Sequence, residues 1–462
     1  IMFLKSLIGD KKFYKRLIAL AVPMVVQQLV TSSVQLVDNI MVGQLGDFAT
    51  GGLYIVNQLY FVVIIITFGV MAGAGVYSAQ YFGSKDYDTL KQSFRFKLQA
   101  GIILGVLAFL IFTFFDVFLV KAFTSNDITI GIGLNYMTIV KWSLIPWILS
   151  VAISNTFREI GIVKPLLYIS LSAIFLNTLL NYMLIFGHFG FDAMGTEGAA
   201  YATLIARFLE FVLIFIFLIK KGQLFNTKLT ELFKIDKKVL IAIVLMATPL
   251  TLNEALWASG QTMFVKAYSE RGDFALAAMQ ITNSVSQLVF VTFGALATAI
   301  AVMVGNTLGE NDLAMAKENA KKLIFTAVVF AIFTGIILFS ISFFIVDIYE
   351  VEEITKTWAR FNIRINALFI PVYSFNVSLY FTLRSGGDTR STLMMDAGFM
   401  WIISVPIAMM LAYLTTLPIT LMFLIIQSLE LPKSLFALSR FRKEYWVKNL
   451  AIISTEDQLN NV

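Results

Sequence analysis

The sequence predicts an all-α membrane protein of about 12 transmembrane helices, set as two six-helix bundles related by a pseudo-two-fold axis along the membrane normal. Three observations predict it: the composition, the length of the apolar runs and an internal repeat. Hydrophobic residues fill 58% of the 462 positions and charged residues only 14%, with a mean hydropathy of +0.81. A soluble globular chain carries roughly 25% charged residues. A larger core does not account for the deficit, because a soluble surface must still be solvated.

The apolar residues arrive in runs of about 20, the length that crosses a hydrocarbon core about 30 Å thick. In the first half they centre near Val30, Ile64, Gly105, Leu144, Leu176 and Phe208, and in the second near Thr251, Val289, Phe330, Asn366, Ser404 and Phe423. The first run follows a basic arm (residues 3–16) and has full spanning length, whereas a cleaved signal peptide has a shorter apolar region and a small-residue site. The expected division is residues 1–219 for an N-terminal lobe, 220–238 for a basic cytoplasmic linker, 239–440 for a C-terminal lobe and 441–462 for a cytoplasmic tail.

The two halves match each other in order. Ala21 and Pro23 answer Ala247 and Pro249, and Gly46, Asp47, Phe48 and Ala49 answer Gly272, Asp273, Phe274 and Ala275, all at an offset of 226. Asn57 answers Asn283, Gly83 and Asp86 answer Gly309 and Asp312, and Arg158 and Gly161 answer Arg384 and Gly387 at the same offset. Any one match is noise; an ordered run of them is not. Six spans per half make the repeat parallel in topology, and bundles so related can rock around a central cavity in alternating access. The duplication points to a transporter rather than a channel or a structural bundle.

Charge sets orientation. Most of the 35 Lys and Arg fall in segments placed inside, among them Lys11, Lys12, Lys15, Arg16, Lys85, Lys97, Lys220, Lys221, Lys237, Lys238, Arg384, Lys433 and Arg440, while Lys121, Lys266, Arg271, Lys356 and Arg360 fall outside. This bias is the positive-inside rule, with both termini cytoplasmic and an even number of spans. The net charge of +6 is thereby used up in orientation and does not point to nucleic acid. The absence of Cys excludes disulfides and thiolate chemistry. A single His, His188, and no G-x-x-x-x-G-K loop argue against an enzyme.

Polar residues inside spans mark the candidate sites, because a mid-membrane charge costs roughly 2.5–3.5 kcal/mol on insertion scales and must face protein or water. Span one carries Gln28, Thr31, Gln35 and Asp38, which share one helical face and end in a carboxylate. Span seven carries Asn253, Glu254, Trp257 and Gln261, with Glu254 five residues beyond Pro249. That proline removes a backbone donor and displaces the carbonyl of Leu245, so a kink with an exposed acceptor is expected beside the acid. Span eight adds Gln280, Asn283 and Gln287, and span five adds Asn177 and Asn181 at i and i+4. These amides either orient a carboxylate, coordinate a cation through their carbonyl oxygens, or serve as helix–helix glue. A proton needs one carboxylate and Na⁺ needs several oxygens; Asp38 and Glu254 suit either. Arg207 and Glu210, at i and i+3, are expected to pair with each other. Trp257, Tyr54 and Phe290 offer π faces to a flat cation. Pro23, Pro146, Pro249 and Pro371 lie at paired places and serve as hinges or as packing curvature.

The segment Val37-Asp38-Asn39-Ile40-Met41-Val42-Gly43-Gln44-Leu45-Gly46 resembles the first-helix signature of the multidrug and toxic compound extrusion (MATE) transporters, in the bacterial NorM-like branch. The resemblance extends through Gly195-Thr196-Glu197-Gly198-Ala199-Ala200-Tyr201 and Leu383-Arg384-Ser385-Gly386-Gly387-Asp388 and covers nearly the whole chain. It implies a pump, free of cofactor and ATP, that exports cationic and amphipathic small molecules in exchange for Na⁺ or H⁺. It implies a monomer in the cytoplasmic membrane of a prokaryote. Asp38 matches the family's first-helix acid, Glu254 the seventh-helix acid of a branch with many Na⁺-coupled pumps, and Asn177 and Asn181 the fifth-helix pair, where some members place Asp at the position of Asn181. Helix ten offers Asn366 and Asn376 where some members carry an acid. A flippase for a lipid-linked precursor, from the same wider superfamily, is the alternative.

Overall fold

The structure is a computed structural model and describes residues 7–221, 225, 229–349 and 351–452. Parts of the expected linker and of the expected C-terminal tail therefore lie outside the described residues. Among the described residues, twelve helices are long and apolar enough to cross a membrane and no strand occurs. Helices α1 (Lys11–Gly43), α2 (Asp47–Gly83) and α3 (Tyr87–Phe114) open the chain. They are followed by α4 (Asp127–Glu159), α5 (Lys164–Phe186) and α6 (Gly195–Lys221). The second half holds α7 (Lys237–Ser269), α8 (Asp273–Gly309), α9 (Leu313–Ile341) and α10 (Glu353–Ser385), then α11 (Thr389–Leu414) and α12 (Ile419–Arg442). Every expected span centre falls in its own helix. Lipid leaves the backbone no outside partner, so a long apolar run has the helix as its only open-chain solution.

The repeat is written into the helix boundaries. Helices α1 and α7 begin and end at matching positions of the two copies, as do α2 and α8, and α4 and α10. The turns between helices repeat as well. Gly46 (φ 96°) answers Gly272 (φ 87°), each just before a helix, and Gly161 (φ 84°) answers Gly387 (φ 80°), each just after one; at these positive φ values a side chain would be strained. Asp86 and Asp312 both cap the helix that follows, accepting from Thr89 N at 3.1 Å and from Met315 N at 2.9 Å. One difference is local: α4 passes through a 3-10 turn at Lys141–Ser143, just before Pro146, whereas α10 runs unbroken through Pro371. Helices α1 and α7 likewise run unbroken through Pro23 and Pro249.

The chain sorts into two compact units, one of Val26–Ser78 and Asp86–Thr251, the other of Ile1–Val25, Ala79–Lys85 and Leu252–Val462. The first packs around Leu53, Val56, Met137, Leu144, Ile185 and Ala200. Within it Gly105 lies against Ile145 and Gly198 against the carbonyl of Leu184, the close approach that small residues permit between membrane helices. Among the described residues the second unit packs around Ala267, Ile365, Ala408, Met422 and Phe423, and around Ala278, Ile281, Leu338, Ile363 and Ile370. There the guanidinium of Arg271 donates to the carbonyls of Leu411, Ala412, Thr415 and Leu417 at 2.6–2.8 Å, satisfying the orphan end of α11. Large apolar side chains such as Phe114, Phe118, Phe175, Phe333 and Ile402 point outward, a surface that suits hydrocarbon rather than water.

Candidate cation and substrate sites

In the unit built on α1 to α6, α1 carries Asp38 to α5. Asn181 Nδ2 donates to Asp38 Oδ1 at 2.8 Å. Asn181 is buried, and its Oδ1 has no hydrogen-bond partner among the described residues. One side of this amide therefore fixes the carboxylate while the other leaves an acceptor unfilled beside it. Asn177, one turn earlier on α5, is half-buried. The structure thus brings the α1 acid together with Asn181, one of the two α5 amides. The rest of the polar stripe is divided. The Thr31 hydroxyl returns to the carbonyl of Gln27 at 2.8 Å, Gln28 is exposed, and the side chain of Gln35 lies outside the described residues.

A second polar chain in this unit rests on a residue the stripe did not include. Gln27 Nε2 donates to Ser170 Oγ at 2.7 Å and Gln27 Oε1 accepts from Arg158 Nη2 at 3.2 Å. Ser170 Oγ donates to Glu210 Oε1 at 3.3 Å, and Arg207 pairs with Glu210 at 3.0 Å as its i, i+3 spacing predicts. Lys97, expected in a segment placed inside, is fully buried and paired with Glu159, with Thr156 Oγ1 accepting at 3.3 Å.

In the other unit, Asn253 of α7 is buried and uses both ends of its amide. Its Nδ2 donates to Tyr380 Oη and to Asp396 Oδ2, both at 3.1 Å, and its Oδ1 accepts from Ala397 N at 3.2 Å. Glu254 beside it is half-buried, and Arg384 and Asp396 are the charged groups that act on it. The basic neighbour that the sequence around Glu254 lacks is thus supplied by α10. Asn366 of α10 donates to Ser286 Oγ at 2.8 Å and accepts from Gln427 Nε2 at 2.7 Å, and Tyr373 Oη donates to Gln427 Oε1. Glue is the role the structure gives to Asn366.

Asp396 was passed over in the sequence, although an acid between Met395 and Ala397 inside an apolar run carries the same insertion cost that singled out Glu254. Lys433, expected in a segment placed inside, lies within α12, 3.3 Å from Asp396 Oδ1 and 3.5 Å from Glu430 Oε1. Gln280, Asn283 and Gln287 occupy one exposed face of α8, and Tyr54 and Trp257 are exposed too. None of these five is hydrogen-bonded to another described residue, so helix–helix glue does not describe the α8 amides.

A family model described as MatE matches the chain twice, at residues 23–183 and 249–414. The chain belongs to the MATE family of transporters. The two matches begin at Pro23 and Pro249, one pair of the repeat. Among curated relatives, this MATE transporter is 24% identical over 401 residues to the probable multidrug resistance protein YoeA of Bacillus subtilis, covering 86% of this chain and 87% of that one. It is 24% identical over 407 residues to a probable multidrug resistance protein NorM of Bradyrhizobium diazoefficiens, covering 86% of each. Its fold is that of the Vibrio cholerae MATE transporter VcmN in the bent form, with a TM-score of 0.85, 17% identity, and 96% and 99% of the two chains covered. A MOP superfamily transporter from Pyrococcus furiosus aligns with a TM-score of 0.86 at 17% identity, over 96% and 97%.

Proposed function

We propose that this MATE transporter is an antiporter that exports cationic or amphipathic compounds, drugs or toxic metabolites, in exchange for Na⁺ or H⁺. The relatives named as multidrug resistance proteins support the substrate class. The observation that carries the coupling is the Asp38–Asn181 pair: a carboxylate oriented at 2.8 Å by an amide whose own buried oxygen is unfilled. A proton neutralises that carboxylate directly. A Na⁺ ion is held there by the Asp38 and Asn181 oxygens, with Asn177 one turn away. Glu254 is the second candidate, acid and half-buried in the other unit. Entry of the cation from outside neutralises the acid and releases substrate; on return, a cationic substrate competes for the acid. The exposed amides of α8 and the face of Trp257 in one unit, and the face of Tyr54 in the other, offer contacts to a flat cation, and Pro23 and Pro249 serve as hinges. Residues 1–219 and 239–440 move as lobes joined by 220–238, in the cytoplasmic membrane of a prokaryotic cell, as a monomer with both termini inside.

Ethidium efflux from loaded proteoliposomes tests this reading. Asp38→Asn and Glu254→Gln, made separately, are each expected to lose ion-dependent efflux. Efflux that stays ion-dependent and unchanged in both variants overturns it. An imposed Na⁺ gradient at clamped pH, compared with a pH gradient in the absence of Na⁺, separates the two ions.

A further inference from the structure

The second unit holds two carboxylates from different helices around one ammonium. Helix α11 adopts π-helical turns at Met394–Gly398 and Met400–Ser404, a widening of the helix that is frequent at functional sites. Asp396 projects from the first of these. Its Oδ2 is held by Asn253 Nδ2, while Asn253 Oδ1 takes the Ala397 N–H of the same turn. Glu430 comes from α12, with its Oε2 accepting from Asn376 Nδ2 at 2.7 Å. Lys433 Nζ lies between the two free oxygens, 3.3 Å from Asp396 Oδ1 and 3.5 Å from Glu430 Oε1. Both distances exceed the 2.7–2.9 Å of a tight charge-assisted bond, so the ammonium is shared rather than committed to one acid. The three side chains are only 13%, 20% and 16% exposed for Lys433, Asp396 and Glu430. Beside them Asn376, 2% exposed, has an Oδ1 without a partner among the described residues.

Without the ammonium, this place would present Asp396 Oδ1 and Glu430 Oε1, a pair of hard carboxylate oxygens that suits a hard cation. We propose that Lys433 is a tethered counter-ion that occupies this carboxylate pair permanently and so closes it to Na⁺, leaving Glu254 as the open acid of its unit. Lys433 is then a specificity-determining residue that fixes how many coupling ions the chain takes. The proposal rests on the cation-coupled reading for its functional meaning. Its geometry does not depend on transport.

The test is equilibrium ²²Na⁺ binding to purified protein, with thermal unfolding in NaCl and in choline chloride alongside. K433Q is expected to bind one more Na⁺ per chain than the parent and to gain a Na⁺-dependent rise in melting temperature. Both gains should vanish in the double variant K433Q/D396N, and K433R should bind as the parent does. A folded K433Q with the parental stoichiometry overturns the proposal. Should K433Q fold poorly in choline, Na⁺ restores it if the proposal holds, and failure of Na⁺ to restore it overturns the proposal. If K433Q gains a site while the parent shows no ion-coupled efflux, the antiport reading falls and the assignment of Lys433 stands.

Discussion

At the residue scale, three places show charge inside the helices met in different ways. Asp38 is met by a single amide donor, the pair Lys97–Glu159 by direct ionic contact, and Asp396 by an amide and a shared ammonium. The single donor is the weakest of these and, on the proposed reading, leaves the acid free to take a cation. A hydrogen bond to a charged group is worth about 1.5–3 kcal/mol, so Asn181→Ala is expected to slow ion-coupled ethidium efflux by about tenfold or more in proteoliposomes while the protein still folds. The ionic pair behaves oppositely. Removing one partner of a buried pair is destabilising by about 3–5 kcal/mol, and Gly75 lies so near that an added Cβ would stand 2.5 Å from Glu159 Oε1. Lys97→Met is therefore expected to lower the melting temperature sharply, and Lys97→Met with Glu159→Gln to recover part of it. Equal melting of the single and double variants would refute this.

At the scale of elements, the ends of α2 and α8 show how the repeat builds contact. Within one unit, a Cβ placed on Gly83 would run into the carbonyl oxygen of Asn306, and one on Gly309 would run into that of Gln80. Gln80 and Asn306 are themselves a matched pair of the repeat, so the two clashes are images of each other. Real Cβ atoms do not come so close to backbone, and neither helix can yield without shifting its neighbour. Gly83→Ala and Gly309→Ala are each expected to abolish folded yield, judged by monodisperse elution in detergent, whereas alanine at Gly131, which has open space, is expected to be tolerated. The capping residues are gentler controls. Asp86→Ala and Asp312→Ala should each cost about 1 kcal/mol.

At the scale of the molecule, twelve candidate spans among the described residues and a basic bias predict a topology, and the absence of Cys makes it measurable on single-cysteine variants. Cysteines placed at Lys85 and Lys234 are expected to react with a membrane-impermeant maleimide only from the cytoplasmic side. Those at Asn126 and Phe189 should react only from outside. Reaction of both pairs from one side would remove the orientation inferred from charge.

How much of this was legible in the chain depends on distance along it. The sequence by itself determined the helices and their order, because in lipid each backbone polar group must be satisfied within its own run. It determined the duplication too, because matched boundaries are visible as glycines and aspartates that recur at one constant offset. It also placed Asp38, Asn181, Asn253 and Glu254 as polar residues in apolar spans. Only the tertiary structure decided which of these groups have partners. Asp396 meets Asn253 across 143 residues and Lys433 across 37, and no periodicity records such a meeting. Lys433 read as one more cation of the inner surface until α11 and α12 brought two acids to it. Burial makes those pairings decisive, since a desolvated charge must find its counter-charge in the fold, and packing alone sets which one it finds.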